Sequence, residues 1–264
     1  MTEKTCKVRN LIFGAGMPKI CVPITGSTQE EIFRQAAAFE QHGADLAEWR
    51  ADCFFEGDII SWKNEEAVSR VLQGLRQILG ERPLLFTFRT REEGGACPET
   101  MQEYFKLNKI AIRSGCVDLL DLEYRFGENM RPVLDEAHGK GIRVICSNHD
   151  FQKTPEKDEI VRRLAGMREI GADIPKMAVM PQSGEDVLTL LEATYQSAVQ
   201  LDCPIVTMSM GALGAISRLS GETFGSVMTF AAAGSCSAPG QMEVGKMRDS
   251  LKMLDKLSDS VKIS

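Results

Sequence analysis

Short apolar runs of strand length recur along the chain. They read ICVPIT (20–25), LAEWRAD (46–52), PLLFTFRT (83–90), VDLLDLEY (117–124), RVICSNHD (143–150), IPKMAVM (174–180), CPIVTMSM (203–210) and GSVMTFAAA (225–233). Their richness in β-branched and large apolar side chains predicts eight strands. Amphipathic stretches separate most of them. In TQEEIFRQAAAFEQHGAD, Thr28 followed three residues on by Glu31 is a capping-box start, and Gly43 is a C-terminal stop. The same periodicity predicts helices over 64–80, 99–114, 128–140, 156–170, 184–201 and 240–257. After the seventh run, GALGAISRLSGETFG predicts shorter pieces broken by glycine.

Strands that alternate with helices form parallel sheets, and eight such units predict a closed α/β barrel, a (β/α)8 TIM barrel. A doubly wound open sheet is the competing architecture, but GAGMPK (14–19) precedes a strand instead of following one and so is no dinucleotide fingerprint. Residues 6–13, CKVRNLIF, lie ahead of the first repeat and predict a hairpin that closes the barrel bottom. No linker composition breaks the chain, so residues 1–264 read as one catalytic barrel domain.

Composition narrows the partners. The formal charge is -6, with 31 basic against 37 acidic residues, which excludes nucleic acid as the main partner because phosphate binding needs a basic face. The polar N-terminus MTEKTCKVRN lacks a signal-peptide core, and no apolar run is long enough for a membrane span. The eight cysteines show no CxxC spacing, so reduced structural thiols in a cytoplasmic protein are expected, with no metal site.

Charge inside the apolar runs carries the chemistry. Glu48 and Arg50 share a strand face, as do Asp121, Glu123 and Arg125; Arg89 and His149 end their runs, and Lys176 interrupts IPKMAVM. Buried charge is costly unless paired, and clustering it at the C-terminal ends of barrel strands is the layout of an active site. The alternative is a structural ion-pair network. A lysine between Ile174, Pro175, Met177 and Ala178 is poorly solvated if it points inward, which favours the nucleophilic neutral amine; the alternative is a side chain snorkelling to a rim. His42 and His138 each precede a glycine at a predicted helix end, whereas His149 ends a strand and is placed for proton transfer. Within REEGG, either Glu92 or Glu93 could orient His149, and position does not choose between them. The loop SCSAPGQ (235–241) offers Ser237 and Gln241 as neutral hydrogen-bonding groups on a lid, or is an ordinary polar loop.

These residues together resemble type I 3-dehydroquinate dehydratases of the shikimate pathway. The matching segments run in order: PITG (23–26), EWRAD (48–52), FTFRTREEGG (86–95), DLEY (121–124), SNHDF (147–151), DIPKMAVMP (173–181), SRLSGETFGSVMTF (217–230) and SAPGQ (237–241). The resemblance implies dehydration of 3-dehydroquinate to 3-dehydroshikimate by syn elimination, without cofactor or metal. It implies a catalytic set of Lys176 as Schiff-base nucleophile, His149 as general base and acid, and Glu93, four residues after Arg89, as the partner of His149. Arg218, Ser237 and Gln241 are then expected to bind the substrate carboxylate, and Glu48, Arg50 and Arg89 the ring hydroxyls, with Ser27 a further polar contact. A homodimer is implied as well. The chain departs from the family's usual aromatic residue before the histidine, having Asn148, and it ends after the last predicted helix, so no fused dehydrogenase is expected. Two rivals are a class I Schiff-base aldolase, which would favour a phosphate site near strands seven and eight, and a non-catalytic metabolite-binding barrel, which would be expected to lose the lysine or the histidine.

Overall fold

The computed structural model describes residues 4–55, 65–97, 100–233 and 240–261, the side chains of 40–42 and 258–261 excepted. The elements run β1 (Cys6–Val8), β2 (Leu11–Phe13), β3 (Lys19–Ile24), α1 (Gln29–His42), β4 (Leu46–Arg50), α2 (Ala51–Phe54), α3 (Glu65–Leu79), β5 (Leu84–Thr87), α4 (Met101–Arg113), β6 (Leu119–Glu123) and α5 (Arg131–Gly139). There follow β7 (Arg143–Asp150), α6 (Lys157–Ile170), β8 (Ile174–Val179), α7 (Gly184–Gln200), β9 (Val206–Ser209), α8 (Ala215–Leu219), α9 (Gly221–Phe224), β10 (Met228–Phe230) and α10 (Val244–Val261).

Strands β3 to β9 pair in chain order, all parallel, and β10 pairs back onto β3. An isolated bridge between Ile205 and Ser226 and the Val227 amide on the Ile205 carbonyl, 2.9 Å, bring β9 and β10 together. The result is the expected (β/α)8 barrel, nearly closed. The β1–β2 hairpin is antiparallel, and its Cys6, Val8 and Phe13 are buried in one cluster with Leu46, Leu85, Leu119, Ile145 and Ile174 from the lower barrel interior. The hairpin therefore caps the bottom, as its position ahead of the first repeat predicts.

Local chemistry sets the helices. Thr28 caps α1, its hydroxyl accepting the Glu31 amide, and Gly43 ends it at φ 69. In α3, Val68, Val71, Leu72, Leu75 and Leu79 fall on one stripe and are buried. They pack in the outer cluster with Trp49, Phe86, Leu120 and Val144, whose side chains point away from the barrel axis. Burying each such side chain stabilises the fold by about 1.5–3 kcal/mol.

The last helix runs Val244–Val261 instead of 240–257, and two further elements differ from the sequence reading. The run 46–52 leaves strand geometry after Arg50, because a helical turn folds Asp52 back against the Arg50 guanidinium and under the Arg89 and Ala96 amides. The helix expected over 128–140 begins at Arg131, with Pro132 in its first turn. The preceding residues Tyr124–Met130 form 3₁₀ turns interrupted at Gly127, φ 50.

Candidate active site

Alternation along the strands builds the site. Leu46, Leu85, Leu119, Ile145 and Ile174 fill the lower barrel. Two residues further on in the same strands come Glu48, Thr87, Asp121, Ser147 and Lys176, all buried, and two further again Arg50, Arg89, Glu123, His149 and Ala178. The interior thus changes from apolar to charged going up the strands. A cavity of about 260 Å³ opens there, lined by Glu48, Arg50, Arg89, Glu93, Gly94, His149, Phe151, Lys176, Ala178, Met208, Met210, Arg218, Phe230 and Gln241.

Eight of the expected site residues line this one cavity: Lys176, His149, Glu93, Glu48, Arg50, Arg89, Arg218 and Gln241. Ser27 is not among the lining residues. Its hydroxyl donates to Glu31 Oε2 at 3.0 Å beside the start of α1. Ser237 lies outside the described residues.

Lys176 is 3% exposed, as an inward-pointing side chain must be. Its Nζ is 3.3 Å from Asp121 Oδ2 and 4.5 Å from the centre of the Phe230 ring. The amine thus has a counter-charge on one side and an aromatic face on another, an arrangement suited to cationic nitrogen. Asp121 also accepts from Ser147 Oγ at 2.6 Å and Arg89 Nη2 at 2.8 Å. Burial pushes its carboxyl upward, but Arg89, Lys176 and the Ser147 hydroxyl outweigh that and hold it below the usual carboxylate range.

Arg89 is the hub of the floor. Besides Asp121 it donates to Glu123 Oε1 at 3.0 Å and Ser147 Oγ at 2.9 Å. Glu123 is fixed further by the Thr90 amide at 2.8 Å and the Thr90 hydroxyl at 2.6 Å. The structural network and the active site are therefore one object here, with the charges pairing each other and the cavity above them. Arg50 is held from behind by Asp52 through two 2.8 Å bonds, and Thr87 donates to Glu48 Oε1 at 2.8 Å.

The segment Arg91–Glu93 forms a single 3₁₀ turn that ends at Gly94, φ 85. A Cβ at Gly94 would meet the Phe151 ring at 2.4 Å, and one at Gly95 the Arg89 carbonyl at 1.8 Å, so the glycine pair is what lets this loop close over the barrel mouth. The turn separates the two carboxylates. Glu92 points out to solvent and pairs with Arg125, whereas Glu93 is 4% exposed and reaches His149. Glu93 Oε2 accepts the His149 backbone amide at 3.0 Å and lies 3.0 Å from Nδ1. Glu93 Oε1 accepts from Asn148 Nδ2 at 3.0 Å. Burial and the neighbouring Glu123 push the Glu93 carboxyl up to about 8, against the pull of Arg89 and Asn148. Burial and the cations Arg89, Lys176 and Arg50 hold the His149 imidazole well below its ordinary value, so it is neutral at neutral pH and available as a base.

His138 is at the end of α5 with Nε2 2.8 Å from Asp173, remote from the cavity lining, and the side chain of His42 lies outside the described atoms. Sequence reasoning missed Ser147, Thr87 and Phe230 as parts of the site. Their signal was present, since Ser147 and Phe230 keep inward register with His149 and Met228, but a serine or a phenylalanine in a strand raises no question by itself. Among the described residues no group of three or more His, Cys, Asp or Glu side chains is arranged to hold a metal ion.

The model of the type I 3-dehydroquinase family matches residues 20–258. The 3-dehydroquinate dehydratase of Listeria monocytogenes serotype 4a is 47% identical over 251 residues, covering 94% of this chain and 97% of its own. That of Clostridioides difficile is 46% identical over 256 residues, covering 96% and 98%. Among solved structures, a Clostridium difficile type I 3-dehydroquinate dehydratase with covalently modified comenic acid superposes with a TM-score of 0.92, at 46% identity, over 97% of this chain and 99% of that one. The 3-dehydroquinate dehydratase of Geobacillus kaustophilus superposes with a TM-score of 0.91, at 40% identity, over 96% and 97%.

Proposed function

This chain belongs to the type I 3-dehydroquinase family and is a hydro-lyase of the shikimate pathway, and we propose that it dehydrates 3-dehydroquinate through an imine on Lys176. The observation that carries the mechanism is the placement of one buried amine and one neutral imidazole on the same cavity wall: β7 and β8 pair Ser147 with Lys176, so His149 stands two residues further up the barrel than the lysine. Lys176 attacks the C3 ketone, and loss of water leaves a protonated imine. The imine acidifies the C2 hydrogens by taking up their electron pair as an enamine. His149 removes one C2 proton and returns it to the departing C1 hydroxyl on the same face. Hydrolysis of the conjugated imine releases 3-dehydroshikimate and restores the lysine. The net change is the loss of one water, so no redox cofactor enters.

The surroundings support these roles. Asp121 and the Phe230 ring face the nitrogen that carries positive charge in the imine. Glu93 fixes the imidazole with Nδ1 engaged, which leaves Nε2 as the base. We assign the substrate carboxylate to Arg218 with Gln241 and Ser237, and the ring hydroxyls to Glu48 and Arg50. Arg89 lines the same wall, but its three partners make it chiefly the anchor of the floor. Ser27 keeps only an outer polar role.

A homodimer in the cytoplasm belongs to the same proposal. On α7, Leu188, Tyr195 and Val199 leave an exposed apolar stripe that a second copy would cover, and the seven described cysteines are free thiols, which suits a reducing compartment. No helix among the described residues is long and apolar enough to cross a membrane. The test of the mechanism is reduction with borohydride in the presence of 3-dehydroquinate, followed by peptide mapping. A stable adduct is expected on Lys176, and an adduct on any other lysine rejects the assignment.

A further inference from the structure

Where the resemblance leads one to expect an aromatic residue before the histidine this chain has Asn148, and the structure gives that residue a place in the site. Asn148 is on β7 between Ser147 and His149, whose side chains enter the barrel, so its own side chain turns the other way, towards α6. There Arg163 Nη1 donates to Asn148 Oδ1 at 2.9 Å. Arg163 is itself held by Glu159, one helical turn earlier, with Nε 2.6 Å from Glu159 Oε1. The other end of the amide reaches Glu93, with Nδ2 3.0 Å from Oε1.

This arrangement settles which way the amide faces. A guanidinium only donates, so the Asn148 atom beside Arg163 is the carbonyl oxygen, and the NH2 group is the one that meets the carboxylate. The two oxygens of Glu93 then have separate duties: Oε1 is taken by Asn148, and Oε2 is left to the His149 amide and Nδ1, both at 3.0 Å. The other charged groups facing Glu93 are Arg89 from the end of β5, at 3.6 Å from Oε2, with Glu123 and Asp121 from β6. Arg89 competes with His149 for that same oxygen, and the two acids disfavour the ionised carboxylate. Asn148 is the side-chain donor on the opposite oxygen, Oε1.

We propose that Asn148, oriented by Arg163, is a positioning residue that fixes the Glu93 carboxylate as the acceptor for His149. The inference rests on the role given above to Glu93 as the partner of His149. The line of contacts runs Glu159, Arg163, Asn148, Glu93, His149, from the surface of α6 to the base.

The experiment compares kcat and KM across pH for the full-length wild type and for Asn148→Ala, Arg163→Ala, Glu93→Ala and Asn148→Ala/Glu93→Ala. Losing one charge-assisted hydrogen bond is expected to lower kcat about tenfold in Asn148→Ala, with KM little changed. Removing a donor from the carboxylate favours its protonated form, so the acid limb of the profile moves to higher pH. Arg163→Ala, outside the cavity, moves it in the same direction by less, because the amide is then free to turn over. In the Glu93→Ala background, Asn148→Ala costs nothing more. If both single variants keep the wild-type profile while Glu93→Ala loses activity, the proposal is overturned and the role of Glu93 stands. If Asn148→Ala loses activity with an unmoved profile and a lowered melting midpoint, the contact is structural only, which also overturns it. Wild-type kinetics in Glu93→Ala would remove the premise and the proposal together.

Discussion

Glu93 Oε2 lies 3.0 Å from His149 Nδ1 and accepts the backbone amide of the same residue at the same distance. One carboxylate oxygen thus holds both the ring and the strand end that carries it. The 3₁₀ turn at Arg91–Glu93 and the strand β7 are thereby locked to one another at the cavity mouth. Position along the chain could not choose between Glu92 and Glu93; the turn does, by sending one to solvent and one inward.

Removing the base should separate imine formation from elimination. His149→Ala retains Lys176, so borohydride still traps an adduct, while turnover falls by about 10²–10⁴-fold, the usual contribution of a positioned base. Lys176→Met should give no adduct at all. His138→Ala, which alters only an outer contact to Asp173, should keep wild-type turnover. Mass spectrometry after reduction and an absorbance assay for the conjugated enone read both effects, and near wild-type turnover in folded His149→Ala would remove the acid–base assignment.

Glu93 should weaken the fold as pH rises. Burial and Glu123 raise its carboxyl from 4.5 to about 8, so between those values the unfolded chain has lost a proton that the folded one retains. The stability from the bound proton is complete below about 4.5 and is lost as pH rises through about 8. Glu93→Gln keeps the shape and cannot ionise. Its melting midpoint should exceed that of the wild type by a growing margin across this window, on the order of a few °C, and level off above it. A margin independent of pH would contradict the shift. Activity should fall in the same variant, since a glutamine has a single accepting oxygen where Glu93 accepts from Asn148 at one oxygen and from His149 at the other.

Asp52 and Asp121 act in the opposite sense. Burial raises each, but Arg50 and the Arg89 and Ala96 amides outweigh it for Asp52, and Arg89, Lys176 and Ser147 for Asp121, so both are held below 3.8. Their stabilisation is present above that value and is lost as pH falls through the depressed folded value. Asp52→Asn should therefore flatten the acid limb of a stability profile measured by circular dichroism and leave the alkaline limb alone.

Arg218 should govern substrate affinity. It is 2% exposed, lines the cavity, and has one Nη atom 3.6 Å from the Met208 sulfur. Arg218→Lys keeps the charge and loses the planar fork that binds a carboxylate through two bonds. KM is expected to rise by on the order of 10²-fold, with a smaller change in kcat, as befits loss of a paired charged contact. Steady-state kinetics decide it, and an unchanged KM would place the carboxylate elsewhere.

Activity should also survive EDTA, because the imine proposed on Lys176 would supply the electron sink and no cluster among the described residues has the donors for a metal. Inactivation by chelation, reversed by added zinc or magnesium, would contradict the metal-free route.

The eight strands, the order of the helices and the closing hairpin were legible in the sequence, because each rests on local periodicity. Period-2 alternation marks the inward positions of a strand before its neighbours are known, and capping residues such as Thr28 and Gly43 mark helix ends within a few residues. For the same reason Lys176 and His149 could be singled out: charge in an apolar run is conspicuous without a partner in view. The resemblance added the choice of Glu93 over Glu92, which local pattern left open.

What only the tertiary structure decided is pairing across strands. Asp121 on β6 meets Lys176 on β8, Phe230 on β10 covers the same amine, and Arg163 on the outer helix α6 orients an amide that reaches a carboxylate from the loop after β5. These contacts join residues 15 to 55 positions apart in the chain, and for Phe230 the partner lies across the barrel seam. The same holds for Ser27, whose place beside Glu31 instead of in the cavity depends on where α1 starts relative to the mouth. A sequence specifies which side of its own element a residue occupies, through the geometry of a single chain. Which groups then face one another depends on strand register and barrel closure, and those are fixed by the packing of all eight units together.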